Sequence, residues 1–453
     1  MKQLVVASTF YQCLSLAAAV DAGVLPGAEE RILVLASSSQ VPELSPRLQD
    51  HHGFGAVADR FDRVVDFAAL VYPRRPVQFS PRAVELITWQ RLLRSHWGLG
   101  EGPVQILLDS VQVNPGPALA SIFDEAELYA HSDGLMTYAP TRKALPRHLA
   151  QRMVGLVCVD LVPGLVPRLL AEHDVRHLMV PRDAVGQLIK EVSGAEAAVD
   201  RRPTALLLGQ YLGSLQLLTR AEESALHQQM VVEAAARGAR VCVFKPHPSA
   251  PPGDLLELST TAERHGVELV VDGSPEIAEI TVRRREPTWV ISCFSTGLAT
   301  ARYVLGVEAV AVGTGGLLTS LTPYENSNRV PLVLADALFA GGGFVSPDEA
   351  ADGQPHEEAH GVGEVRGPGR DLQALVDTVA YCMQPRLQPA AADRARTYLA
   401  TVADDEQILT RYFRRRRLTA LGLPGALPPR PTVVRLRHWI GRRIRSVSGK
   451  PSR

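Results

Sequence analysis

Residues 241–250 read VCVFKPHPSA, four apolar residues running straight into Lys245-Pro246-His247-Pro248. A short apolar run stopped by proline predicts a buried strand with an abrupt end. In a parallel α/β sheet, the residues just past the carboxyl end of a strand line the ligand crevice. His247 is then expected at a crevice, with a proline on either side restricting the backbone that carries it. A held imidazole suits a place where a proton or hydrogen bond must reach a leaving group. A rigid turn with an incidental histidine is the plainer alternative.

Outward from this stretch, short apolar runs alternate with longer helical patterns. Strands are expected over 3–9, 31–37, 63–68, 104–110, 126–133 and 175–181, with a helix over 12–23 closed by a C-capping glycine. After a polar break at 191–203 the pattern restarts, with strands over 204–210, 239–246, 267–273, 288–294 and 307–313. Such alternation predicts an α/β protein with mostly parallel sheets wrapped by helices. Two such runs in 453 residues predict two Rossmann-like domains facing each other across a cleft. They are expected over 1–195 and 203–385, with C-terminal helices and a basic tail over 386–453. The polar, Gly-rich stretch 344–370 is expected to be a flexible surface insertion, with a mobile lid as the alternative.

Composition narrows the class. Apolar residues make up 46% and charged residues 21%, a globular balance. No apolar run approaches the roughly 18–20 residues that cross a bilayer, and the opening MKQLVVASTFYQ turns polar too soon for a signal peptide. A cytoplasmic protein is expected. The five cysteines, odd in number and without a CxxC pair, fit small buried residues better than disulfides or a zinc site.

Net charge is zero, yet the chain from Arg411 onward carries twelve Arg and one Lys with no acid, leaving about −13 for the rest. In this tail Val433, Leu436, Ile440, Ile444 and Val447 keep helical spacing among Arg435, Arg437, Arg442, Arg443 and Arg445. That is the pattern of a helix lying on an anionic membrane surface. A solvated or protein-docked tail is the alternative. No nucleic-acid reading module accompanies the charge, so nucleic acid is not an expected partner.

Three further strand ends carry candidate chemistry. WVISCFSTGLATARYVLG (289–306) ends a buried run and offers Ser295, Thr296 and Gly297 at a helix start. Hydroxyls, free backbone N–H groups and the positive helix end suit a phosphate there, while Ser295 or Thr296 acting as a cap is the alternative. In VVDGSPEIAEITV (270–282), Glu276 and Glu279 stand where a carboxylate could grip a sugar diol or simply complement a helix start. AELYAHSDGLMTYAPTR (126–142) ends a strand in Asp133-Gly134. A carboxylate facing a phosphate site across the cleft could take a proton from an incoming hydroxyl, and an ordinary turn aspartate is the alternative.

Together these pieces resemble the bacterial sialyltransferases, and most of all the α-2,8-polysialyltransferase family of capsule-type enzymes. The resemblance rests on Ser132-Asp133-Gly134, His247-Pro248 and Ser295-Thr296, in that order, and covers roughly residues 1–385. STFYQCLSL (8–16) is similar to the Thr-Pro-x-Gln start of such enzymes, and LLLGQYLG (206–213) and TPYENSNRVP (322–331) look like further family stretches. The resemblance implies a GT-B fold and transfer of sialic acid from CMP-sialic acid to a glycan hydroxyl, with inversion. It implies Asp133 as general base and His247 at the leaving phosphate as acid or hydrogen-bond donor. Ser295, Thr296, Gly297, Pro248 and Gln210 would sit around the nucleotide, with Glu279 rather than Glu276 on the ribose and Lys245 adding positive potential. Thr9, Gln12 and Gly134 would face the acceptor or donor sugar.

No metal or other cofactor is expected beside the donor, since no DxD pair stands in a convincing loop. A lipid-linked acceptor would give the tail a reason to hold the enzyme at the inner membrane face. Two departures from the family pattern stand out. Ser132 occupies the first acidic position, which removes a neighbouring charge and predicts a lower-titrating Asp133 than in a paired site, and Phe10 stands where proline is frequent. Another sugar-nucleotide or CDP-polyol donor on the same fold, or a non-catalytic nucleotide-binding scaffold, are the alternative functions. Acceptor identity and oligomeric state stay open at this level.

Overall fold

The computed structural model describes residues 1–37, 39, 46–194, 202–247, 255–352 and 369–427. Two sheets organise it. The first takes β1 (Lys2–Ala7), β2 (Glu30–Leu35), β3 (Arg63–Asp66), β4 (Val104–Leu108), β5 (Glu127–Ser132), β6 (Met153–Val159) and β7 (Arg176–Val180) in the order β3-β2-β1-β4-β5-β6-β7. The second takes β8 (Thr204–Leu208), β9 (Val241–Lys245), β10 (Glu268–Val271), β11 (Trp289–Ser292) and β12 (Glu308–Ala311) in the order β10-β9-β8-β11-β12. Every neighbouring pair is parallel.

Parallel strands covered by helices on both faces need apolar side chains pointing both ways. The runs VQILL, TALLL and VCVFK of β4, β8 and β9 are accordingly buried at every position. Each fully buried Val, Leu or Ile contributes roughly 1.5–3 kcal/mol. The five cysteines are buried and unbridged, as expected. The α/β architecture is the expected one: two Rossmann-like units whose carboxyl strand ends meet, the GT-B arrangement.

In each sheet the strand order reverses once, between β1 and β4 and between β8 and β11. These reversals open the crevices where ligands of doubly wound sheets bind.

Several expectations need correction. β6 was not among the expected strands, because a continuous apolar run such as MVGLVCV has no period to tell it from a buried helix segment. The first helix spans Phe10–Asp21 rather than 12–23, with Thr9 as its N-cap and Gly23 in the left-handed region after it. The stretch 344–370 is not all free loop: Phe344 is buried, Ser346 caps a short helix Pro347–Ala351, and the Asp348 N–H donates to Pro163 O at 3.3 Å. Residues 353–368 lie outside the described set.

The C-terminal helices tie the units together. The helix Leu372–Met383 packs on the helix Arg329–Phe339 of the second unit. It also reaches the first unit, where Asp377 pairs with Arg168, Gln373 accepts from the Val166 N–H at 2.8 Å, and Gln384 just beyond donates to Arg142 O at 2.9 Å. The first basic residues of the tail do not stand apart electrostatically. Fully buried Asp336 accepts from Thr314, Arg411 and Tyr412, while Arg415 pairs with Glu406 at 2.6 Å and Arg417 with Glu325 at 2.8 Å. The amphipathic stretch 433–447 lies outside the described residues. Among the described residues, no helix is long and apolar enough to cross a membrane.

Candidate active site

Three adjacent strands of the first sheet deliver polar residues to one edge. β1 is followed by Ser8 and Thr9, β4 by Asp109, and β5 by Asp133 and Gly134. Thr9 caps the helix Phe10–Asp21 by accepting from the Gln12 N–H at 3.1 Å, which turns the Gln12 side chain back over the strand ends. Gln12 Oε1 accepts from the Ser8 N–H at 2.8 Å, and the side-chain amide of Gln12 donates to Asp133. Ser8 Oγ donates to Asp109. Ser132 Oγ accepts from Thr137 Oγ1 at 2.7 Å.

The second sheet supplies the opposite wall. Gln210, past β8, accepts from the Phe294 N–H at 3.0 Å and so ties the two strand ends of the crevice together. Ser295 is the N-cap of the helix Thr296–Ala299, which runs on into a π-turn over Thr300–Val304. Its Oγ accepts from the Gly297 N–H at 3.2 Å, so the capping alternative is realised for Ser295. Gly297 has no room for a side chain, since a Cβ there would lie 2.7 Å from Leu208. Leu208, Glu279, Gly297 and Thr300 line one small crevice.

Lys245 ends β9 buried, 3.2 Å from Asp272 and hydrogen-bonded to Ser274, so an internal partner already balances its charge. His247 follows, half-buried, its ring centroid 4.2 Å from that of Tyr211. Burial pushes His247 down to about 4, so the ring is neutral near pH 7. Pro248 lies outside the described residues.

The two walls touch. The Leu135 N–H donates to Thr296 Oγ1 at 3.3 Å, and a Cβ at Gly134 would lie 2.9 Å from that oxygen. Gly134 has an ordinary extended backbone, so it is close approach and not an unusual φ that calls for glycine. Tyr11 Oη and Thr300 Oγ1 lie 3.5 Å apart across the same junction.

Three carboxyls converge here, and all titrate high. Burial pushes Asp133 up to about 6, against hydrogen bonds from its own N–H and from Gln12. Burial pushes Glu279, in the first turn of the helix Ala278–Arg285, up to about 7, with repulsion from Asp133 adding to the rise. Burial likewise raises Asp109 to about 6, opposed by the Ser8 hydrogen bond and reinforced by Asp133. Ser132 removes a charge next in sequence to Asp133, and the rise of Asp133 comes from burial, while Asp133 in turn raises Asp109 and Glu279.

The structure thus brings Gly134 against Thr296 and Asp133 within electrostatic reach of Glu279, with Gln12 on Asp133 and Thr9 capping the helix that carries Gln12. Glu276 points elsewhere and pairs with Arg284, which in turn donates to Ser193 O of the first unit at 2.9 Å. Asp109, Ser8, Tyr11 and Tyr211 were not singled out from the sequence. The strand-end rule that selected Asp133 applies equally to Asp109 in VQILLDS, and it is the signal that would have found it.

Comparison with known proteins follows the same line. The chain is similar to a sialyltransferase from Photobacterium damselae, in a crystal structure of its GT-B domain, at 11% identity and a TM-score of 0.39, covering 74% of this chain and 96% of that one. It is similar to the UDP-GlcNAc 2-epimerase of Methanocaldococcus jannaschii at 12% identity and TM-score 0.40, covering 75% and 93%. It is also similar to UGT2 of Phytolacca americana, in complex with UDP-2fluoro-glucose and pterostilbene, at 12% and 0.41, covering 89% and 96%. No curated protein matches the chain. Residues 3–314 match the family model of the alpha-2,8-polysialyltransferases (POLYST), well over half of the sequence; the chain belongs to that family and is a glycosyltransferase.

Proposed function

We propose that this chain transfers sialic acid from CMP-sialic acid to a glycan hydroxyl with inversion and without a metal. The observation that carries the reading is the junction of the Asp133-Gly134 turn with Thr296. It seats the turn that follows Asp133 against the helix start of the other wall.

In this mechanism the acceptor oxygen attacks the anomeric carbon from the face opposite CMP. The bond from that carbon to the phosphate oxygen breaks, and Asp133 takes the hydroxyl proton. A base poised near the working pH combines availability with proton affinity, and the raised value of Asp133 fits that requirement. Negative charge grows on the departing phosphate, where His247 and the hydroxyls of Ser295 and Thr296 provide preorganised donors. A neutral imidazole serves there as an N–H donor rather than as an acid. Glu279, buried between the walls, is the carboxyl assigned to the ribose, and Gln210 holds the crevice in shape.

The tail pattern over 433–447 supports docking on an anionic membrane surface at the cytoplasmic face, where a lipid-linked acceptor would be found. The test of the central reading is transfer from CMP-sialic acid to a sialylated oligosaccharide by wild type, Asp133→Ala and His247→Ala. Loss of transfer in both, with CMP affinity falling chiefly in His247→Ala, is the expected result. Full transfer by Asp133→Ala would remove it as base.

A further inference from the structure

The proposed base is not an isolated group. Asp109 and Asp133 stand at the ends of neighbouring strands β4 and β5, beside the reversal of strand order between β1 and β4. Ser8 Oγ donates to Asp109 Oδ2, while the Ser8 N–H holds Gln12 Oε1 at 2.8 Å. With its oxygen fixed in that way, the Gln12 amide has its NH2 end turned to Asp133. The other oxygen of Asp109, Oδ1, is buried with no hydrogen-bond partner among the described residues. A Cβ on Gly116 would come within 3.5 Å of it, so the loop after β4 closes tightly over this carboxyl. The charge of such a group is relieved by the Ser8 hydroxyl and the backbone N–H groups of Asp109 and Ser110, and otherwise by taking up a proton.

We infer that Asp109 is a positioning residue for Asp133. It anchors Ser8, which sets the orientation of the Gln12 amide, and its charge acts directly on the neighbouring carboxyl. The inference rests on the reading of Asp133 as base for its catalytic meaning, but the coupling itself does not. The other groups facing Asp133 are Tyr11 and Cys13 on the helix Phe10–Asp21, and Glu279 from the second unit with Lys245 acting on Glu279. None of these is joined to it by the Ser8–Gln12 chain. The Asp133 charge opposes ionisation of Asp109, and by reciprocity Asp109 opposes that of Asp133, while the Gln12 donor favours it, so the two ends of the chain pull in opposite directions.

The test is carbon NMR of the full chain labelled at aspartate carboxyls, following the Asp133 midpoint without substrate. Asp109→Asn lowers that midpoint by about half a unit to one unit, because a nearby like charge is removed. Gln12→Ala raises it, because a donor to the charged form is lost. The coupling is reciprocal, so Asp133→Asn lowers the Asp109 midpoint by the same amount. That variant carries the test should Asp109→Asn fail to fold. The acid limb of kcat/KM in Asp109→Asn moves the same way as the Asp133 midpoint. Midpoints that move with these signs support the coupling, and midpoints that stay put overturn it. The base reading stands or falls separately, on transfer by Asp133→Asn.

Discussion

The amide of Leu135 and the hydroxyl of Thr296 lie 3.3 Å apart across the cleft, one on each Rossmann-like unit. This contact fixes how far Asp133, two residues before Leu135, stands from the helix start that Ser295 caps. The geometry of transfer therefore depends on a junction that neither unit contains alone.

Asp133 sets the first prediction. Its raised value, about 6, means that the ionised form is lost as pH falls through that point. The profile of kcat/KM against pH should fall on the acid side with a midpoint near 6, and Asp133→Asn should lower kcat about 10²–10⁴-fold. A profile flat from pH 5 to 8 would contradict Asp133 as base.

The same carboxyl makes a stability prediction of opposite sense. A carboxyl whose folded value lies above its unfolded one makes the native state the better proton binder, so its contribution to stability falls as pH rises between about 4 and 6. Removing the charge removes that cost. Asp133→Asn should be more stable than wild type at pH 7.5 by on the order of 1–3 kcal/mol, with the gain vanishing near pH 4. Denaturant midpoints at the two pH values check it.

Gly134→Ala should separate the walls. Its Cβ would press on Thr296 Oγ1 at 2.9 Å. Transfer should fall at least tenfold, since a misplacement of about 1 Å is costly in a preorganised site. The thermal midpoint should change little because each unit stays intact. Adding Thr296→Ala, which removes the obstructing oxygen, should restore part of the loss.

His247→Ala should weaken CMP binding and transfer together. An anion held against a neutral imidazole raises its proton affinity, so the His247 ring should titrate higher with CMP bound than its free value of about 4. Proton NMR of the ring with and without CMP measures this, and an unchanged titration would place the nucleotide elsewhere.

Asp336→Ala should damage the fold rather than the chemistry. It strips Arg411, Tyr412 and Thr314 of a shared buried acceptor. The expected loss is about 3–5 kcal/mol, with CMP affinity unchanged under conditions where the protein is folded.

Much of the fold was legible in the sequence because parallel strands buried on both faces leave nearly continuous apolar runs. The site was legible in part, and the errors have a pattern. Ser8, Thr9, Asp109, Ser110, Asp133, Gly209, Gln210, Cys293 and Phe294 were all expected to be strand, and all leave the sheet. Their apolar or β-compatible neighbours extend the strand pattern past the end of the ladder, where Gly209 keeps one last bond to Lys245 O at 2.9 Å. Of these, Asp133 immediately precedes the Gly134–Thr296 contact, and Gln210 and Phe294 bond to each other at the strand ends of the second sheet. Asp109 passed unnoticed for another reason, since its partner Ser8 is 101 positions away and only the adjacency of β1 and β4 joins them. Likewise, nothing in the local sequence distinguishes Glu276 from Glu279 as firmly as Arg284 does by occupying the former.

The helix Leu372–Met383 works as a splint. It is pinned to the first unit by the largely buried pair of Arg168 with Asp377, while its other face rests on the second. Arg168, which pairs with Asp377, also donates its N–H to Thr137 O in the turn that carries Leu135, so the splint and the Leu135–Thr296 contact share one support, and loosening Asp377 should be felt at the site as a loss of transfer.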